Sequence, residues 1–156
     1  MQDRKDIIKE YFKLVGEGKF KDGSRFFAPE CKTHNPFVVG NMDVLIDAMI
    51  AANKDYGPKY PEAKFSLKYV LADGDYVAAY TQLMASPTKP GEGGLRQMHL
   101  FRFDGDKIVE YWDVTQQIMP NMPNAAEAFW KRSFPAWGLK PRVQAITQED
   151  ATVVSL

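Results

Sequence analysis

From Phe65 to Gln116 apolar and polar residues alternate, and an Asp-Gly-Asp triplet interrupts the pattern twice, at 73–75 and 104–106. A period of two belongs to a strand half buried in a sheet, and an Asp-Gly turn reverses such a strand into its neighbour. The pattern predicts strands over 65–71, 76–84, 95–103 and 107–116, with a Pro- and Gly-rich loop over 86–94. Long strands joined by hairpins make an antiparallel sheet, expected to be strongly curved.

Upstream the period is helical. Ile7, Ile8, Tyr11, Phe12, Leu14 and Val15 recur at three and four residues and predict an amphipathic helix over 3–15, stopped by Gly16 and Gly18. A short helix is expected over 20–27, ahead of Pro29. Pro36 forces 31–36 into an extended segment. Asn41 reads as the cap of a third helix that carries Leu45, Ile46, Met49 and Ile50 to about Lys54, before Tyr56-Gly57-Pro58 breaks it. Helices first and a meander afterwards is an α+β plan, with helices laid on one face of the sheet. Four prolines punctuate the last forty residues, where one short helix is expected over 125–132. Phe129, Trp130, Phe134 and Trp137 there could cover the sheet or contact a neighbouring subunit. The organisation expected is a domain over 1–117 and a partly irregular extension over 118–156.

The balance of charge narrows the partners. Twenty Lys and Arg meet twenty Asp and Glu, so a nucleic-acid binder, which needs surplus cations, is not expected, nor is a polybasic membrane contact. With 45% hydrophobic residues the chain can fill a core, and its apolar runs are too short to span a bilayer. The charged N-terminus lacks the apolar core of a signal peptide, and the single Cys31 allows no internal disulfide. A cytoplasmic, single-domain protein is the expectation.

Only two histidines are present, His34 and His99. Alternation places Gln97, His99, Phe101 and Phe103 on one face of their strand, and Val109, Tyr111, Asp113 and Thr115 on one face of the next. If Asp104-Gly105-Asp106 is a three-residue loop, His99 pairs with Tyr111, Gln97 pairs with Asp113, and His99 lies one diagonal step from Asp113. A two-residue loop would split His99 and Asp113 onto opposite faces. A His and an Asp on a wall of Phe, Tyr, Leu and Val suit general acid/base chemistry, because desolvation raises a carboxylate's pKa and imidazole offers a proton route. The same pair could equally tie two strands together. His34-Asn35-Pro36 reads either as a second polar group of the site or as a simple turn. No metal site is expected, since the histidines and carboxylates lack ligand spacing.

Lys32-Thr33-His34-Asn35-Pro36 between helices, followed by the meander containing Phe101-Arg102-Phe103-Asp104-Gly105-Asp106-Lys107-Ile108-Val109-Glu110-Tyr111-Trp112-Asp113-Val114, resembles the SnoaL-like family of the nuclear transport factor 2-like superfamily. Its uncharacterised "predicted aldol-condensation-catalysing" branch is the most similar. The resemblance covers roughly 5–117. It implies a cone-shaped α+β barrel, with N-terminal helices packed on a strongly curved antiparallel sheet around one apolar pocket. It also implies a polyketide-cyclase-like activity without metal or organic cofactor, in which a His and an Asp on the last two strands form the acid/base pair. His99 and Asp113 occupy those positions and would be catalytic.

Two functions follow as expectations. In the first, a cofactor-free enzyme acts on a small apolar carbonyl compound, by aldol-type ring closure or a related enolisation. Asp113 removes the α-proton, and His99 holds Asp113 or protonates the enolate oxygen. His34, Asn35, Gln97 and Tyr80 supply hydrogen bonds, and Phe101 and Tyr111 belong to the substrate-binding wall. A ketosteroid-isomerase-like double-bond isomerase is a variant of this reading. In the second, the fold is a non-catalytic ligand-binding or dimerisation module. Under both, Met98, Leu100, Trp112 and Val114 share the outer sheet face and are expected to bury in a homodimer.

Overall fold

The computed structural model describes residues 3–86, 88, 89, 93–129 and 152–155. Helix α1 (Arg4–Gly16) starts where the Asp3 side chain accepts from Lys5 N, occupying one of the amides that a helix start leaves open. Its buried residues Ile7, Ile8, Tyr11 and Phe12 form the expected stripe. Helix α2 (Phe20–Gly23) passes into a 3-10 turn (Ser24–Phe26) rather than continuing to Phe27. Phe27 already begins strand β1 (Phe27–Thr33), where it pairs with Ile108.

Helix α3 (Met42–Lys59) has the expected Asn41 cap, but runs five residues beyond the expected end at Lys54. Pro58 stands in the last turn, so the helix forfeits a single backbone bond there instead of breaking. Tyr60 N closes that end on Tyr56 O and Gly57 O, and the Tyr56 and Tyr60 rings meet at 4.4 Å.

Strands β2 (Lys64–Asp73), β3 (Tyr76–Met84), β4 (Gly94–Asp104) and β5 (Lys107–Gln117) form the predicted antiparallel meander. Among the described residues the sheet has the order β1-β5-β4-β3-β2-β6, with β6 (Thr152–Ser155) at the far edge. Both edge strands run parallel to their neighbours, so the sheet is mixed where a wholly antiparallel one was expected. The meander is antiparallel because tight hairpins allow nothing else. β1 is joined to β5 through long intervening chain and is free to pair parallel. The sheet does not close into a barrel; α+β packing of helices on the sheet stands as expected.

The core lies between α1, α3 and one sheet face. Ile7, Ile8, Tyr11, Phe12, Leu45 and Ile46 pack there against Val70, Val77, Ala79, Phe101, Phe103, Ile108 and Tyr111. Burying each large apolar side chain contributes roughly 1.5–3 kcal/mol. A smaller cluster joins Ile118, Ala125 and Phe129 to Met84 and Met122. Gly94 is obligatory beside it: its φ is +122°, and a Cβ there would stand 2.2 Å from Leu83 O and 3.0 Å from Phe129. The expected helix over 125–132 is, within the described residues, a 3-10 turn at Ala125–Glu127. Trp130, Phe134 and Trp137 lie outside the described residues. No described helix is long and apolar enough to cross a membrane.

Candidate active site

The β4–β5 hairpin differs from the expected register in two compensating ways. Asp104 pairs with Lys107, so the turn holds two residues, with Gly105 at φ +56° as primed hairpin turns demand. Alone, that loop would put His99 and Asp113 on opposite faces. A bulge at Val109 lies between the pairs Phe103–Ile108 and Arg102–Glu110, and shifts the parity back. Ile108 therefore faces the core, where Val109 was expected. His99 pairs with Asp113 directly rather than diagonally, and Phe101 pairs with Tyr111.

Despite this adjacency, His99 and Asp113 do not hydrogen-bond to each other. The His99 ring joins Thr81 Oγ1 through Nε2 at 2.9 Å and Tyr111 Oη through Nδ1 at 2.8 Å. It packs 4.8 Å from the Phe12 ring and is 5% exposed. Burial drives its pKa down from 6.5 to about 3, so the imidazole is neutral at ordinary pH and is no imidazolium acid. The expectation that His99 holds Asp113 is corrected: Asn35 does so. Asn35 Nδ2 donates to Asp113 Oδ1 and Oδ2, at 2.9 Å each.

Asn35 is itself oriented by its neighbours. Its Oδ1 accepts from Phe37 N at 2.9 Å, an Asx-type turn across Pro36 that leaves the amide nitrogen facing Asp113. On the rim, Gln97 Nε2 donates to Thr115 Oγ1 at 2.9 Å, and Thr115 Oγ1 donates to Asp113 Oδ2 at 3.3 Å. Asp113 is only partly buried, so its carboxylate stands between an aromatic interior and this polar rim.

The structure thus brings Asn35, Gln97, His99, Phe101, Tyr111 and Asp113 to one sheet face. It places His34 and Tyr80 on the other. Just past the end of β1, alternation turns His34 outward, where it stacks on Trp112 at 4.7 Å, and Asn35 inward. His34 Nε2 is 2.8 Å from Glu110 Oε1. Hydrogen bonds from His34 and then Arg102 hold the Glu110 carboxyl below the usual range. Tyr80 pairs with exposed Met98, whereas Thr81 is fully buried on the inner face.

Three inward residues escaped the sequence reading. Thr81 was detectable by extending the register into β3, where it pairs with Gln97. Thr115 was on the correct face without an assigned role. Tyr11 looked like any apolar residue of α1. Its ring packs 5.2 Å from Phe27 and 6.1 Å from Phe101, and none of the described residues hydrogen-bonds its hydroxyl. Burial first, and then the Asp113 charge, raise its pKa well above 10, so the phenol stays protonated. The same two influences, with Tyr11 itself, raise that of Tyr111. Burial pushes the Cys31 thiol up to about 12, which leaves it a packed rather than a reactive group.

Among the described residues no three His, Cys, Asp or Glu side chains converge as a metal-ligand set. A groove of about 390 Å³ between the α1–α2 connection and α3 is lined by Phe20, Ile50, Asn53 and Lys54 among others, and by none of the candidate residues.

The sequence profile of the SnoaL-like domain matches residues 8–111. No curated protein sequence matches the chain. Among solved structures, the proposed hydroxylase AclR from Streptomyces galilaeus superposes with a TM-score of 0.59 at 18% identity, over 73% of this chain and 89% of that one. A SnoaL-like polyketide cyclase from Agrobacterium tumefaciens gives 0.56 at 18% identity, over 74% and 93%. IdmH, a proposed polyketide cyclase from Streptomyces antibioticus, gives 0.55 at 12% identity, over 74% and 93%. At these identities the likeness is one of fold.

Proposed function

Because the chain belongs to the SnoaL-like domain family, we propose that it is a cofactor-free acid/base enzyme of the polyketide-cyclase type. It enolises a small apolar carbonyl compound, for aldol-type ring closure or a related proton transfer. One observation carries the proposal: the Asp113 carboxylate, held on both oxygens by Asn35, lies on the sheet face that also carries buried Phe101 and Tyr111 and against which Tyr11 of α1 packs. A general base needs a fixed direction and a protonated hydrogen-bond donor nearby for the oxygen that gains charge. The clamp supplies the first, and phenols with raised pKa values supply the second. Neutral His99 supports the donor side and is not the proton source.

Transfer of α-hydrogen to solvent tests this without knowledge of the natural substrate. With 2-tetralone and 1-indanone in D2O, proton NMR should show deuterium entering the α-position faster than in buffer. Asp113→Asn should slow that exchange at least a hundredfold, on the order of 3 kcal/mol of barrier. Exchange that persists at full rate in Asp113→Asn, or is absent from the wild type, rejects the assignment.

The outer face supports a second element of the proposal, a homodimer. Met98 is 49% exposed, Leu100 37% and Val114 72%, and together they leave an apolar stripe beside partly buried Trp112. A second copy of the chain is proposed to cover it.

A further inference from the structure

Thr81, His99 and Tyr111 form a chain of three groups joined by two hydrogen bonds, at 2.9 and 2.8 Å. Each end group is a hydroxyl with one hydrogen, and a neutral imidazole has one N–H and one lone pair. Three hydrogens are present and two are used, so one hydroxyl hydrogen is left over, and it must be at an end. If Nε2–H donates to Thr81 Oγ1, the surplus hydrogen is on Thr81. If Thr81 donates to Nε2, Nδ1–H donates to Tyr111 Oη, and the surplus hydrogen is on Tyr111.

The two ends are not equivalent. Thr81 is wholly buried, and among the described residues its hydroxyl has no second partner. An idle hydroxyl hydrogen there would carry a buried donor's desolvation penalty without relief. Tyr111 lies two residues from Asp113 on the same strand and face, with the Asp113 charge acting on it. A donor hydrogen at that end is stabilised by the nearby carboxylate.

The structure assigns His99 as the Nδ1–H tautomer, set by Thr81, and Tyr111 as a catalytic donor whose hydroxyl hydrogen is free for the substrate's carbonyl oxygen. This rests on the enolising reading above and adds the residue that stabilises the oxygen. When Asp113 takes the α-proton, the Cα–H pair becomes the carbon–carbon π bond. The carbonyl π pair moves onto oxygen, and Tyr111 hydrogen-bonds that enolate without giving up its proton. The proton stays on Asp113 until carbon or solvent takes it back. Thr81 and His99 never touch substrate. They are positioning residues that keep the Tyr111 hydrogen from being occupied by His99.

Long-range proton–nitrogen NMR of the full-length, histidine-labelled chain at pH 7 reads the tautomer directly. Two histidines give a simple spectrum, and His34→Gln identifies the His99 signals. The expected result is a protonated Nδ1 and a bare Nε2 on His99. In Tyr111→Phe the two nitrogens should exchange identity, because Nδ1–H loses its acceptor and Nε2–H finds Thr81. A bare Nδ1 in the wild type overturns the assignment, and that spectrum decides it even if the variant fails to fold. In the tetralone exchange assay Tyr111→Phe should lose tenfold to a hundredfold in kcat with KM little changed, and an unchanged kcat overturns the catalytic role. Absence of exchange in the wild type with Nδ1 protonated rejects the enolising function alone. Exchange with a bare Nδ1 rejects this inference alone.

Discussion

His99 should make this protein sensitive to mild acid, and the size of the effect follows from its burial. In the unfolded chain its pKa is 6.5, whereas in the fold it is about 3. The unfolded state therefore binds a proton that the native state refuses, and stability falls as pH drops below the unfolded value. Above pH 6.5 the two states bind nearly equal numbers of protons and the penalty is absent. Between pH 7 and pH 5 linkage gives a loss of about 2 kcal/mol, rising to about 3 kcal/mol by pH 4. For a domain of this size that is a large share of the total. Urea denaturation of wild type and His99→Gln at pH 7, 6 and 5 isolates the contribution. Glutamine retains an acceptor and a donor for Thr81 and Tyr111 but cannot titrate, and every other ionisable group is common to both proteins. The wild type should lose about 2 kcal/mol more than the variant over this range. Parallel pH profiles, agreeing within about 0.5 kcal/mol, would refute the buried, neutral imidazole.

Other perturbations report on separate parts of the structure. Asn35→Ala removes a charge-assisted contact to both Asp113 oxygens; α-exchange should fall roughly tenfold to a hundredfold, equivalent to about 1.5–3 kcal/mol, with near-wild-type circular dichroism. Gly94→Ala forces a Cβ to within 2.2 Å of Leu83 O at a positive φ, and should lower stability by roughly 2–3 kcal/mol in urea titration. Val114→Asp puts a charge on the exposed apolar stripe, so sedimentation should show a wild-type dimer and a monomeric variant; a monomeric wild type contradicts the proposed association.

How far the candidate site was legible depended on how local its causes are. Asp113 and Tyr111 share a strand and face by alternation alone, and so do His99 and Phe101. Asn35 was named with His34 as one polar group, yet adjacent residues at the end of a strand point opposite ways. Only pairing of β1 with β5 shows which one faces Asp113. Tyr80 failed for the same reason: its neighbour Thr81 faces inward, as the Gln97 pairing shows. Tyr11 carried no signal of its own, because a tyrosine on the apolar stripe of a helix is most simply a core residue. Its hydroxyl became noticeable through its position near Asp113 and its lack of a partner among the described residues.

By itself the sequence determined the helices, the limits of the meander, the places where it reverses and, through the motif of its last hairpin, the family. The first three depend on periodicity, capping or turn chemistry within a few residues of chain. Tertiary structure alone decided the parallel edge strands, the bulge at Val109 and the hydrogen-bond partners of His99 and Asp113. The physical reason is the parity of a strand: one extra residue exchanges its two faces. Whether that residue is tolerated depends on how side chains such as Ile108 pack against distant parts of the fold. A two-residue turn and a bulge each reverse the parity expected from a three-residue turn, and together they restore it. His99 and Asp113 consequently share a face, but as neighbours with separate partners rather than as a bonded pair.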